Sequence, residues 1–255
     1  MLKPIDRKSR HEMNLIMDAG KIVAAVHMML MDMLEPGMST LDLDREAEAF
    51  IRKHGAIPTF KGLYGFPATL CTSVNEEVVH GIPKADKILV EGDVISVDCG
   101  VTYRGYIADT AVTLPVGKID EDKQRLLEDT DGGLHAAIAK MVPGTPLDEV
   151  SGAIEDYAKA RGYGLVVEYG GHGTGRKLHE EPFIFNYRRN VPTPELRPGN
   201  VLAIEPMYNL GGAEVETLDD QWTVVTKDRL PSAHFEHTVI VTEDGPVLAT
   251  ERVRD

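Results

Sequence analysis

Residues 91–114, EGDVISVDCGVTYRGYIADTAVTL, constrain this chain most, because they set two carboxylates among side chains that belong in a core. Val94, Ile95, Val97 and Val101, then Ile107, Val112 and Leu114, make two strand-like runs, and residues 102–105 between them read as a hairpin connection. With those four residues as the loop, Val101 opposes Tyr106 and Asp98 opposes Asp109 on one face. Carboxylates so opposed have Cβ atoms about 5 Å apart and repel each other. A shared proton would relieve this, as would bound metal, and two metals about 3.5–4 Å apart recur in hydrolases. A solvated face with two surface aspartates is the third solution, and this segment alone leaves all three open.

The rest of the chain narrows the choice. At 255 residues it has ample length for one large core, either as a single domain or as two intimate halves. Pro36-Gly37, followed by a helical pattern that carries Phe50 and stops at Gly55, recurs 107 residues later as Pro143-Gly144, a helical pattern with Tyr157, and Gly162. The same offset maps the run Gly92 to Asp98 onto Gly199 to Glu205, so each half ends a strand in a carboxylate. This predicts one domain, residues 1–255, built of similar halves at about 1–115 and 116–255, with Glu205 brought near Asp98. Helices are expected from the Ser9-x-x-Glu12 capping box to about Leu34, from the Ser39-x-x-Asp42 cap to His54, over 119–141 and over 147–161. Strands are expected at 70–74, 165–168, 200–208, 221–226 and 234–242.

A net charge of −14 argues against nucleic acid as a partner, since binding phosphates requires clustered Lys and Arg. It favours divalent cations and substrates with a free amine. Cys71 and Cys99, the only cysteines, read as reduced thiols of a cytoplasmic protein. The N-terminal segment lacks the apolar stretch of a signal peptide, and the longest nearly apolar run, 22–34, is interrupted by His27 and Asp32, so no membrane span is expected.

The run Gly170-Gly171-His172-Gly173 puts an imidazole among glycines after an expected strand, a composition suited to a loop shaped around a ligand. Adding His172, Glu205 and Glu236 to Asp98 and Asp109 gives four carboxylates and one imidazole. Such a set suits Mn(II), Fe(II), Co(II) or Zn(II) and lacks the thiolates of a closed structural zinc site.

Over nearly its whole length the chain resembles the methionine aminopeptidases of the short bacterial type (type I). The resemblance is carried by CTSVNEEVVHGIP (residues 71–83), the hairpin aspartates, GHGTGRKLHEEP (171–182), AIEPM (203–207) and SAHFEHT (232–238). It implies the pseudo-twofold "pita-bread" α/β fold, a central antiparallel sheet with helices on its outer face. It also implies two divalent ions, of Co, Mn, Fe, Zn or Ni, held by Asp98, Asp109, His172, Glu205 and Glu236, with Asp109 and Glu236 bridging. Glu205 would also shuttle the proton, and His80 and His179 would position the substrate. Tyr64, Phe66, Cys71, Leu178 and Trp222, with His80, would line the methionine pocket. Phe60, Leu63, Leu178 and Gly100 depart from residues usual in that family.

The implied activity is removal of the initiator methionine from nascent polypeptides when the second residue is small, by a cytoplasmic monomer that also admits contact with the ribosome exit region. Met1, followed by Leu2, is then expected to be retained. Two other readings compete: an Xaa-Pro aminopeptidase or dipeptidase of the same fold, and a non-catalytic binding protein of that fold, which would have eroded ligands. His234 shares a strand face with Glu236, whereas His237 points away.

Overall fold

The structure is a computed structural model that describes residues 3–253; the expectation for Met1 and Leu2 lies outside them. Helix α1 (Arg10–Met33) starts at Ser9, whose hydroxyl accepts from the Glu12 amide while the Glu12 carboxylate accepts from the Ser9 amide. Ser39 and Asp42 cap α2 (Thr40–Lys53) in the same reciprocal way, so two orphan amides are satisfied at each helix start. By length and composition α1 could cross a membrane, but Ile16, Val23, Val26 and Leu30 are buried and the helix packs on the β4–β5 hairpin described next.

Strands β1 (Ile57–Pro58), β2 (Leu70–Val74) and β3 (Glu77–Val79) precede the hairpin of β4 (Val94–Tyr103) and β5 (Tyr106–Pro115). β5 pairs with the full length of β4, and the other edge of β4 is shared by β2 and β1. The hairpin departs from expectation in register. Its turn is only Arg104 and Gly105, with φ of 50° and 81°, so Asp98 opposes Ala111 and Asp109 opposes Gly100. Side chains alternate with a period of two, so this two-residue shift leaves both acids on one face as diagonal neighbours.

The second half begins with α3 (Glu121–Ile138), capped by Asp120, and α4 (Leu147–Arg161), closed by Gly162 at φ 81°. Strands β6 (Gly164–Leu165), β7 (Gly170–Gly173), β8 (Glu180–Phe185), β9 (Val201–Ile204), β10 (Met207–Asn209), β11 (Val215–Thr217), β12 (Val224–Thr226), β13 (Ser232–His234), β14 (His237–Thr242) and β15 (Gly245–Leu248) follow. The largest sheet of this half runs β15-β14-β9-β7-β8, and two three-stranded sheets run β13-β10-β6 and β11-β12-β3. Four expected strands are thus cut short or broken: 165–168 pairs only at Leu165, 221–226 pairs only over β12, 200–208 is interrupted at Glu205-Pro206, and 234–242 is interrupted at Phe235-Glu236.

Hydrogen bonds recur at the 107-residue offset. Gly37 donates to Leu89 O and Gly144 to Leu196 O, each at 2.8 Å, and isolated bridges join Ser39 to Ile88 and Pro146 to Glu195. Gly92 and Gly199 have φ of 96° and 95°. β5 meets the segment leading into β14: Glu236 N–H donates to Ala111 O at 3.0 Å, and the Thr110 hydroxyl donates to Glu236 O at 2.5 Å. A large apolar core built from α1, α3, α4 and the inner faces of β4, β5, β9 and β14 lies behind this seam.

Candidate active site

The β5–β14 seam brings Asp109 and Glu236 together. Asp109 N–H donates to the Thr238 hydroxyl at 3.0 Å, and that hydroxyl donates back to Asp109 O at 2.8 Å. His172 enters from β7, the strand between β8 and β9. The glycines around it serve strand packing and not a loop: a Cβ on Gly171 would sit 2.2 Å from Ala203 O. One ligand atom from each of Asp109, His172 and Glu236 lies within 4.8 Å of the others, and all three side chains are buried.

Glu205 directly follows β9 and precedes Pro206, whose missing N–H keeps the chain out of the ladder there. Its two oxygens lie 3.6 Å from His172 Nε2 and 3.6 Å from His234 Nε2, and its carbonyl accepts from Asn186 Nδ2 at 3.1 Å. His234 is buried against Glu205, whereas His237 turns away and contacts the Thr250 hydroxyl at 2.8 Å.

Asp98, Asp109, His172, Glu205 and Glu236 line one cavity with His80, His179, Tyr64, Phe66, Cys71, Leu178 and Trp222, and with Phe60 and Leu63. Every residue singled out from the sequence as a site candidate therefore reaches the same space. Tyr64 stands at the mouth, 76% exposed, its ring parallel to that of His179 at 6.1 Å between centroids. The His179 ring meets His172 edge-on at 4.6 Å. His80 has φ 61°, a strained conformation for a side-chain-bearing residue, and its ring packs edge-on against Tyr169.

Electrostatically the cavity is a buried acid cluster. Desolvation first, then repulsion from Asp109, pushes the Asp98 and Glu205 carboxyls well up; burial raises Glu236 too and lifts Asp109 to about 7. Burial also lowers His80 and His172 to about 4 and His234 to about 3, so these imidazoles are neutral at pH 7. His179 is open to solvent on its outer side, yet desolvation on the side facing the cavity lowers its pKa. Asp98 Oδ1, Asp109 Oδ1 and Glu236 Oε1 are buried with no hydrogen-bond partner among the described residues. Acceptors left bare in this way, beside a neutral imidazole, fit divalent cations bound by oxygen and one nitrogen.

The family profile described as metallopeptidase family M24 matches residues 14–243. A methionine aminopeptidase of Bacillus subtilis is 48% identical over 238 residues, 93% of this chain and 96% of that protein. This chain belongs to family M24, among its methionine aminopeptidases.

The crystal structure of the Thermotoga maritima methionine aminopeptidase superposes with a TM-score of 0.95 at 40% identity, covering 97% of this chain and 99% of that one. The fold is the pita-bread fold of that family. A Pyrococcus furiosus prolidase shares the fold alone, with a TM-score of 0.80 at 23% identity, and this chain spans 66% of it. Membership in M24 makes this a divalent-metal peptidase, and the acid cluster is where its residues fit metal.

Sequence reasoning missed the groups behind the cluster. Arg252 reaches in from the C-terminal segment to donate to the Thr110 hydroxyl at 3.0 Å, and Asn186 holds the Glu205 carbonyl. Neither sits in a motif or a periodic pattern, so nothing in the sequence marks them.

Proposed function

We propose that the protein removes the N-terminal methionine from polypeptides whose second residue is small, using two divalent ions held by Asp98, Asp109, His172, Glu205 and Glu236. The observation that carries this reading is the convergence of a buried, under-satisfied four-carboxylate, one-imidazole cluster with an apolar wall in a single cavity. Bound metal supplies Lewis acidity toward the scissile carbonyl and lowers the pKa of water to near 7.

The chain's own residues do the rest. Asp109 and Glu236, brought together across the seam, would both hold metal there. Glu205, in reach of His172 and His234, moves the proton from water to the leaving amine at its carboxylate. His80 and His179, neutral at pH 7, orient the substrate carbonyl and steady the charge that develops on it. Phe66, Cys71, Leu178 and Trp222 receive the flexible thioether, which needs no polar partner, and Tyr64 closes over it from the mouth.

The recurrent hydrogen bonds at the 107-residue offset support a single catalytic domain of two similar halves. We place the protein in the cytoplasm as a monomer that acts on nascent chains near the ribosome exit, with Mn, Fe, Co, Zn or Ni as the metal. A paired assay of Met-Ala-Ser and Ala-Pro-Ala under these metals decides between methionine and proline specificity. Turnover of Met-Ala-Ser alone supports the proposal. Turnover of Ala-Pro-Ala alone overturns it in favour of a prolidase-like enzyme, and turnover of neither overturns it in favour of a binding role.

A further inference from the structure

Asp98, Gly100 and Asp109 share the site-facing side of the hairpin, and Gly100 is the direct cross-strand neighbour of Asp109. A Cβ built on Gly100 would lie 2.7 Å from Phe60 Cε1, closer than carbon atoms approach, and a tight 3.2 Å from Phe60 Cδ1. The Phe60 ring therefore occupies the space that any side chain at position 100 would take. The backbone holds it there. Thr59 N–H donates to Gly100 O at 2.9 Å, continuing the β1–β4 ladder by one residue, and Leu63 N–H donates to Phe60 O at 2.9 Å. The ring is 7% exposed and lines the metal cavity, in the same apolar cluster as Phe66, Ala68, Cys71, Ile107 and Leu178.

We infer that Phe60, seated on the bare backbone of Gly100, forms the floor of the pocket for the first side chain and sets how long that side chain can be. The inference rests on the aminopeptidase reading above and adds a specificity-determining pair to it. Gly100 acts through Phe60. Its φ is not in the left-handed region, so alanine is conformationally allowed there; its methyl group meets the Phe60 ring first, at 2.7 Å, with Thr59 Cβ beside it at 3.2 Å. Phe60 packs with Phe66, Ala68 and Ile107 in one apolar cluster and also lines the cavity, so a methyl on residue 100 that displaces the ring reshapes the cavity wall. Removing the ring opens the floor instead.

The test compares peptides that begin with methionine or with its one-carbon-longer analogue ethionine, each followed by Ala-Ser, on metal-loaded protein. Gly100→Ala is expected to raise KM for Met-Ala-Ser about tenfold with little change in kcat, and Phe60→Val to shift the ethionine-to-methionine ratio of kcat/KM upward by about tenfold, the size of one methylene in an apolar pocket. The double variant Gly100→Ala, Phe60→Val is expected to regain the methionine KM, since the ring that transmits the effect is gone. Metal content is expected to stay at the wild-type level in all three.

An unchanged KM in Gly100→Ala, a double variant as impaired as Gly100→Ala, or an unchanged length ratio in Phe60→Val overturns the inference. If Gly100→Ala does not fold, the length ratio of Phe60→Val decides alone. Failure of the parent reading looks different: wild-type protein would then leave Met-Ala-Ser uncut under every metal.

Discussion

Replacing Thr238 by valine isolates the seam between β5 and β14 at the buried acid cluster. The Thr238 hydroxyl is fully buried, accepts from Asp109 N–H at 3.0 Å and donates to Asp109 O at 2.8 Å. Valine keeps the shape, so no cavity forms, but the N–H and the carbonyl of Asp109 both lose a partner inside the protein. Each buried group left unpaired costs about 1–3 kcal/mol. Partial relaxation of the strand offsets some of this, so Thr238→Val is expected to lose about 2–4 kcal/mol. Asp109 is also released from its backbone clamp, and loss of a group that orients a ligand weakens metal binding about 10–100-fold. Urea denaturation of chelated protein gives the first quantity, and metal titration followed by direct metal analysis gives the second. Thr238→Ser retains the hydroxyl and should recover most of both. A Thr238→Val protein within about 0.5 kcal/mol of wild type, with an unchanged metal titration, would refute the claim that this hydroxyl fixes the Asp109 carboxylate.

Two further outcomes are expected. His179→Ala should keep its metal while losing about 10²-fold or more in kcat, because His179 faces the cavity beside His172 without being needed as a ligand; loss of a metal equivalent would make it a ligand instead. Metal-free protein should lose stability with rising pH more steeply than loaded protein. Burial raises Asp109 to about 7, so the folded metal-free state holds a proton that the unfolded chain releases near pH 4; the associated stability is fully present below about pH 4 and lost as pH rises through about 7. Parallel denaturation profiles of the two forms between pH 5 and 8 would contradict this.

Much of the site was legible because the features that encode it are local or periodic. Ser9 and Ser39 announce their helices through capping chemistry, and the 107-residue repeat brings Glu205 close enough to Asp98 to raise its pKa. The hairpin shows where such reading stops. Its turn uses Arg104 at φ 50°, a position where Asn or Asp would have signalled a two-residue turn, so a four-residue loop was the natural reading. The site reading survived because an error of two residues preserves the strand face, whereas an error of one would have separated the aspartates. The glycines around His172 looked like a loop because their purpose, admitting Ala203 O and neighbouring carbonyls, exists only once β7 lies between β8 and β9. Phe60 and Gly100 looked like two unrelated departures, and only the Thr59–Gly100 hydrogen bond makes them one contact.

The most direct test is turnover of Met-Ala-Ser by exhaustively chelated, metal-analysed protein as Mn(II) or Co(II) is added back. Activity should be absent without metal and rise with metal bound by wild type, and Glu236→Gln and Asp109→Asn should neither bind a full complement nor reach that rate. Full turnover by the metal-free sample would contradict the account.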